Sequence, residues 1–358
     1  MSGDGAIPKR AFTVYSRPRL SARVVGTSNA GLVSSRTTRP DLRLRESRTT
    51  AILFTFDELM EQGDPGSLAD ESKARDLELS DPRKLYDLWE RQHWQVGDLD
   101  FTRDKQDWAA LSEERKDQVV WLLSSFFIGE ERVTTQFSGL VMAYEDEDEE
   151  AFLTTQQVDE ARHMKFFDRF YREVVGLEQE AFDQRLARVR EELNDAFVVL
   201  FDKELVNAGR KLIADPGDLE AKVEFVTIYH MIIEGALALT GQNFITDYFE
   251  KEGILPGFVE GFQNVARDEH RHVAYGTWFL QQAVRRDAGL ADVLRAKLME
   301  LLPTAAAVLV PPGEDPQSEW SLLGYTSEEV NGFAFKSLTR RLSAIGVPLA
   351  PQGEPATA

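Results

Sequence analysis

From residue 81 to residue 346 the apolar positions of this chain repeat at helical intervals, broken by short clusters of glycine, proline and acidic residues. Asp81-Pro82 opens a helix that the pattern carries through Trp89 to Gln92. From His93 to Asp104 the apolar residues are dispersed, and the segment is expected to be extended. Ser112-Glu113-Glu114-Arg115 starts a long helix running to about Met142, and the acidic run Glu145 to Glu150 is expected to cap a solvated turn and the positive end of the next helix. That helix covers about 149–175 and ends near Gly176. A third spans about 180–213 and stops at Asp215-Pro216-Gly217, a fourth spans about 218–251, and Gly253 and Pro256 lead into a fifth that reaches about Arg285. Thr326-Ser327-Glu328-Glu329 is a capping box for a last amphipathic helix ending at Gly346. Strand signals are nearly absent. The fold class expected is all-α.

Composition narrows the possibilities. A chain of 358 residues with 42% hydrophobic content can bury the core of one domain of about 250 to 280 residues. The expected organisation is a basic flexible arm over 1–50, a helical domain over 51–303 whose first part (51–80) is irregular, a loop and helix over 304–346 packed on it, and a flexible tail over 347–358. The arm holds ten Lys and Arg against Asp4, Asp41 and Glu46. The whole chain carries a formal charge of −20, which disfavours nucleic acid as a partner because phosphate contacts need a basic surface. Cysteine is absent, so disulfides, iron–sulfur clusters and thiolate zinc sites are excluded, and any metal must be held by oxygen and nitrogen. No apolar run approaches the roughly 18 to 20 residues of a transmembrane segment, and no secretory signal opens the chain; the expected location is cytoplasmic.

One pentad occurs twice: Asp159-Glu160-Ala161-Arg162-His163 and Asp268-Glu269-His270-Arg271-His272. A glutamate and a histidine three residues apart share a helix face, so each pair can offer a carboxylate and an imidazole to one cation. Two further glutamates, Glu130 and Glu234, stand in apolar helix segments about one helix and a turn upstream of Glu160 and Glu269. A carboxylate is costly to bury in such a setting without a cation or a proton. Four carboxylates and two histidines from four helices are the donor set of a ferritin-like bundle with a dimetal site. Hard carboxylates with one imidazole per ion suit iron or manganese, and such a pair is adapted to activating dioxygen where apolar walls keep water out. Asp159 and Asp268 are candidates to accept the far ring N–H of the histidines, with simple arginine pairing an equal alternative for Asp159. His93, His230 and His270 rank low as ligands, His230 as a packed residue.

From Trp94 to Glu130 and through both pentads, about 190 residues, the chain resembles the small, radical-generating subunit of class I ribonucleotide reductase. The pattern Trp94, Asp100, Arg103-Asp104, then Glu130, is similar to that family's approach to its first metal carboxylate. The resemblance implies the ligands Glu130, Glu160, His163, Glu234, Glu269 and His272, with Asp268 hydrogen-bonding His163 and facing Trp94. Phe167 occupies the position of the radical tyrosine in most such subunits, which removes a stable tyrosyl radical there but suits the manganese/iron subclass.

Within the superfamily, Gly129-Glu130-Glu131-Arg132-Val133-Thr134, Tyr229 five residues before Glu234, and Glu234 to Gly241 are similar to the ligand-binding oxidases. The helix from Thr326 and the lack of a tyrosine after Tyr325 point the same way, since a reductase subunit needs an aromatic relay residue in its tail. That likeness implies a homodimeric oxidase with a manganese/iron centre, iron/iron being open on spacing alone. It also implies dioxygen as oxidant, a long-chain fatty acid or similar lipid as ligand, and a self-made ether cross-link between Val133 and Tyr229. The alternative is a manganese/iron-type reductase small subunit.

Overall fold

A computed structural model of the chain describes residues 79–348. The expectations for 1–50, for 51–78 and for the end of the tail lie outside the described residues. Helices α1 (Pro82–Arg91), α2 (Thr102–Ala110), α3 (Glu113–Gln136) and α4 (Ser138–Met142) are followed by α5 (Glu147–Phe170), which continues as a π-turn over Tyr171–Val175. Then come α6 (Phe182–Arg190), a rod α7 over 195–214, a rod α8 (Leu219–Glu252), α9 (Pro256–Arg286), α10 (Leu290–Val308) and α11 (Ser327–Ile345). The all-α expectation holds, with one small antiparallel hairpin among the described residues, β1 (Ser321–Leu322) against β2 (Tyr325–Thr326).

Helices α3 and α5 pack along one another, α9 packs against both α5 and α8, and α10 and α11 close over the middle of α8. Capping explains most starts: the side chains of Asp81, Ser112, Asp146, Asp218 and Thr326 each accept a first-turn backbone N–H.

Several elements differ from expectation, each for a physical reason. The segment read as extended through Asp104 contains a single 3-10 turn at Val96–Asp98 and turns helical at Thr102. Asp104 is fully buried there, and its two oxygens accept the backbone N–H groups of Gly257 (2.9 Å) and Phe258 (2.7 Å), so it caps α9 from a distant stretch of chain. A sequence pattern has no register for such a contact. The helix expected to reach Met142 is interrupted at Phe137, and the third expected helix divides at Glu191 to Asn194, where Asn194 caps the second half. Helix α10 runs through Pro303, so the boundary drawn at residue 303 falls inside a helix; a proline there costs one hydrogen bond, which burial of Leu294, Leu298 and Leu301 offsets. Helix α8 is long and apolar enough to cross a bilayer, contrary to the expectation, but 89% of its apolar window is buried inside the protein. Its central residues, Thr227–Ala238, form a 12-residue π-helical stretch around Glu234. Widened turns of this kind concentrate at functional sites.

Candidate metal centre

Two overlapping sets of donor atoms meet between α3, α5, α8 and α9. Glu130, Glu160, His163 and Glu269 form one set, and Glu160, Glu234, Glu269 and His272 the other, each with its ligand atoms within 4.8 Å of one another. Glu160 and Glu269 belong to both, so they are placed to bridge two ions. The spacing that puts a glutamate and a histidine on one helical face delivers this in α5 and again in α9. The imidazoles are aligned alike. His163 Nδ1 lies 3.5 Å from Glu130, 3.6 Å from Glu160 and 3.4 Å from Glu269. His272 Nδ1 lies 3.1 Å from Glu160, 3.4 Å from Glu234 and 3.5 Å from Glu269.

The outer nitrogens face aspartates, and the pentads exchange them. His163 Nε2 is 3.3 Å from Asp268, and His272 Nε2 is 3.2 Å from Asp159, so each helix supplies the aspartate that orients the other helix's ligand. Trp94 donates its indole N–H to Asp268 at 2.7 Å, and Trp89 donates to Asp159 at 2.8 Å. Arg162 and Arg271 each touch both aspartates. For Asp159 the two readings open in the sequence are therefore both realised. Trp89 went unrecognised in the sequence, although it stands five residues before Trp94; so did Gln156, whose amide donates to Glu234 Oε1 at 3.2 Å. Of the low-ranked histidines, His230 is fully buried and hydrogen-bonded to Gln156, His93 Nδ1 is 3.3 Å from an Arg162 nitrogen, and His270 is partly exposed.

The fit to a pair of cations follows from what these atoms lack. His163 Nδ1, His272 Nδ1, Glu234 Oε2 and Glu269 Oε2 are buried with no hydrogen-bond partner, and all belong to the inward-facing donor set. Buried polar atoms are rarely left so, and an oxygen- and nitrogen-liganded metal pair satisfies all four at once.

Electrostatics carries the same message. Burial pushes the Glu130 carboxyl up to about 8, and burial with the nearby Glu269 charge raises that of Glu234 well above the carboxylate range. Burial opposes charge on His163 and His272, yet Glu130 beside the first and Glu160 beside the second hold both well above the usual imidazole value. Burial also opposes ionisation of Glu160, but the two histidines keep it well below its ordinary value. Without metal, the cluster neutralises itself by holding protons.

An apolar cavity of about 940 Å³, its mouth included, ends on Glu130, Glu160, Glu234 and Glu269. Its walls include Phe126, Phe197, Phe201, Ile233, Leu237, Ala238 and Val308. Val133, one turn after Glu130, lines this cavity, whereas Tyr229 is fully buried behind it and donates its hydroxyl to Glu160 Oε1 at 2.6 Å. Tyr229 thus contacts Glu160, and Val133 shares with Glu160 the wall of the cavity.

A family model described as ribonucleotide reductase, small chain, matches residues 75–348. The chain belongs to that family. Among solved structures it is similar to an R2-like ligand-binding oxidase, seen as a point mutant with anaerobically reconstituted Mn/Fe cofactor. That match has 27% identity, covers 74% of this chain and 93% of the other, and has a TM-score of 0.64. Another point mutant of that oxidase, with aerobically reconstituted Mn/Fe cofactor, gives the same identity and coverage with a TM-score of 0.65.

Phe167 is fully buried, stacked on Phe126 at 5.8 Å and edge-on to Phe262 at 5.9 Å, so a ring without a phenol oxygen stands at that position. The proton holding has a measurable consequence. An unfolded glutamate releases its proton near 4.5 and folded Glu130 near 8, so the stability this group lends the metal-free protein is present below the first value and lost as pH rises through the second. The raised histidines act in the same sense. Metal displaces these protons, so the gap in unfolding temperature between metal-loaded and metal-free protein is expected to widen from about pH 6 to about pH 8.5. Differential scanning fluorimetry measures it; a gap that narrows over this range contradicts the assignment.

Proposed function

We propose that this chain is a dioxygen-dependent dimetal oxidase whose centre is manganese/iron, with iron/iron as the variant the same donors accept. Glu130, Glu160, His163, Glu234, Glu269 and His272 hold the ions, and Asp159, Asp268, Trp89 and Trp94 orient the histidines. The bound metal pair supplies the two-electron oxidising chemistry. The substrate is a long-chain fatty acid or similar lipid, its carboxylate directed to the metals and its chain along the apolar cavity. The protein acts as a homodimer in the cytoplasm.

One observation carries this reading: the apolar cavity terminates on the four carboxylates of the cluster and, among the described residues, is lined by no basic side chain. A lipid carboxylate entering it would meet only acidic groups unless cations were bound between them, so the shape calls for an acyl chain and the far end calls for metal. The 27% identity to structures of a ligand-binding oxidase with Mn/Fe cofactor supports the same class. The residues themselves do the rest. The apolar wall excludes water from the reacting end, which strengthens every electrostatic interaction there. Tyr229 holds its proton against Glu160, since burial and the Glu160 charge raise its phenol well above the ordinary value.

A Val133–Tyr229 ether cross-link is part of the proposal. Forming it breaks the phenolic O–H and the valine Cβ–H bonds and makes one C–O bond, releasing two protons and two electrons, which the metal pair, once bound and oxidised, would accept. Intact-mass and peptide analysis after aerobic loading with manganese and iron is expected to show a two-hydrogen deficit linking the two peptides, and Tyr229→Phe should abolish it. A fully loaded wild-type sample without the deficit refutes the cross-link.

A further inference from the structure

A file of rings separate from Trp94 leads from the protein surface to the same centre. Its outer end is a second cavity, about 620 Å³ of empty space including open solvent, lined by Glu145, Glu149, Trp278, Phe279 and Arg286. Trp278 is partly exposed in that wall, and its ring lies 6.1 Å from that of Tyr275, which is fully buried. The Tyr275 ring lies 5.3 Å from that of His230, and His230 lies 4.6 Å from Tyr229, whose hydroxyl rests on Glu160. His230 also reaches the cluster through Gln156, at 3.2 Å, which donates to Glu234. Gly276 permits this arrangement: a Cβ there would meet His230 Cβ at 2.2 Å, so only glycine lets α9 pass over the imidazole.

The phenol at the middle of this file is set up for more than packing. Tyr275 donates to Glu149 Oε1 at 2.6 Å, and Lys222 Nζ lies 2.9 Å from the same oxygen. All three residues are at most 2% exposed. A buried lysine–glutamate pair is costly to maintain, and apolar residues of similar volume would stabilise the fold at least as well. The second Glu149 oxygen accepts the backbone N–H of Glu145, and the Glu145 carboxylate stands 4.0 Å from Lys222, toward the cavity.

We infer that Trp278, Tyr275 and His230 form an electron-entry route to the dimetal centre, in which Glu149 takes up and returns the phenolic proton of Tyr275. This rests on the oxidase reading. In the first step one electron leaves Tyr275 through His230 and Tyr229 to the oxidised centre, the phenolic O–H bond breaks, and the proton passes to Glu149 Oε1. The product is a neutral tyrosyl radical, so no radical cation is buried. In the second step one electron returns from Trp278, the proton comes back from Glu149, and Trp278 is refilled by a soluble one-electron reductant at the cavity. The net change is one electron moved from reductant to centre. Glu145 and Lys222 hold Glu149 in register and balance its charge while it carries the proton.

The test uses the full chain, loaded aerobically with manganese and iron, then mixed with ascorbate while the visible absorption of the oxidised centre is followed by stopped flow. Tyr275→Phe and Trp278→Phe are each expected to slow reduction by about tenfold or more. Tyr248→Phe, off the file, should leave the rate unchanged. Metal content and unfolding temperature are read on the same samples, and the expected result is a slowed rate with both unchanged, since a structural role would move them as well. If Tyr275→Phe fails to fold, Trp278→Phe carries the test. Wild-type rates in the variants overturn the route while leaving the oxidase reading intact. A wild-type chain that binds both metals but never develops the oxidised absorption overturns both.

Discussion

Replacing Glu160 or Glu269 with alanine is expected to strip both metal positions at once, whereas replacing Glu130 or Glu234 should weaken chiefly one. The contrast comes from geometry: Glu160 and Glu269 belong to both donor sets, while Glu130 sits only with His163, and Glu234 only with His272. Elemental analysis after loading and gel filtration should find two ions per chain in the wild type, none retained in Glu160→Ala or Glu269→Ala, and about one in the single-set variants. Changing the orienting aspartates, as Asp159→Asn or Asp268→Asn, should cost about 10–100-fold in affinity rather than the whole site. Circular dichroism and the unfolding temperature of the metal-free proteins, read on the same samples, distinguish misfolding from ligand loss. Two ions retained in Glu269→Ala would show that the shared-ligand arrangement is wrong.

That the residues of the two donor sets belong together was legible in the sequence because helical spacing is local: Glu160 and His163, or Glu269 and His272, need only one turn of one helix to share a face. Glu130 and Glu234 were legible because a charge in an apolar run demands an explanation. The exchange of aspartates between pentads was not, since it depends on how α5 and α9 lie against one another, and no spacing within either encodes that. Trp89 was hidden for the same reason. The helix boundaries missed were those decided by tertiary contacts: Asp104 capping α9 from another part of the chain, and Pro303 tolerated inside α10 because one face is buried. The π-helical stretch of α8 reads in sequence as an ordinary apolar helix. Its widened turns change which side chains reach the centre, which is how Tyr229, His230 and Glu234 all come to face inward.

Filling the cavity should separate lipid binding from metal binding. Ala238 lies one turn beyond Glu234 on α8 and lines the apolar cavity without belonging to either donor set. An indole at that position, in Ala238→Trp, would occupy the volume of several methylenes of a bound acyl chain. Each buried methylene contributes about 0.8 kcal/mol, so excluding three or four of them costs about 3 kcal/mol, or roughly a hundredfold in affinity. The expected result is a loss of co-purified fatty acid by mass spectrometry and a roughly hundredfold weaker binding of added long-chain fatty acid by calorimetry, with two metal ions still bound. Short acids, whose chains end before residue 238, should bind both forms alike, so the discrimination should grow with chain length. Equal affinity of wild type and variant for long chains would place the ligand elsewhere, and the cavity that ends on Glu130, Glu160, Glu234 and Glu269 would then need another occupant.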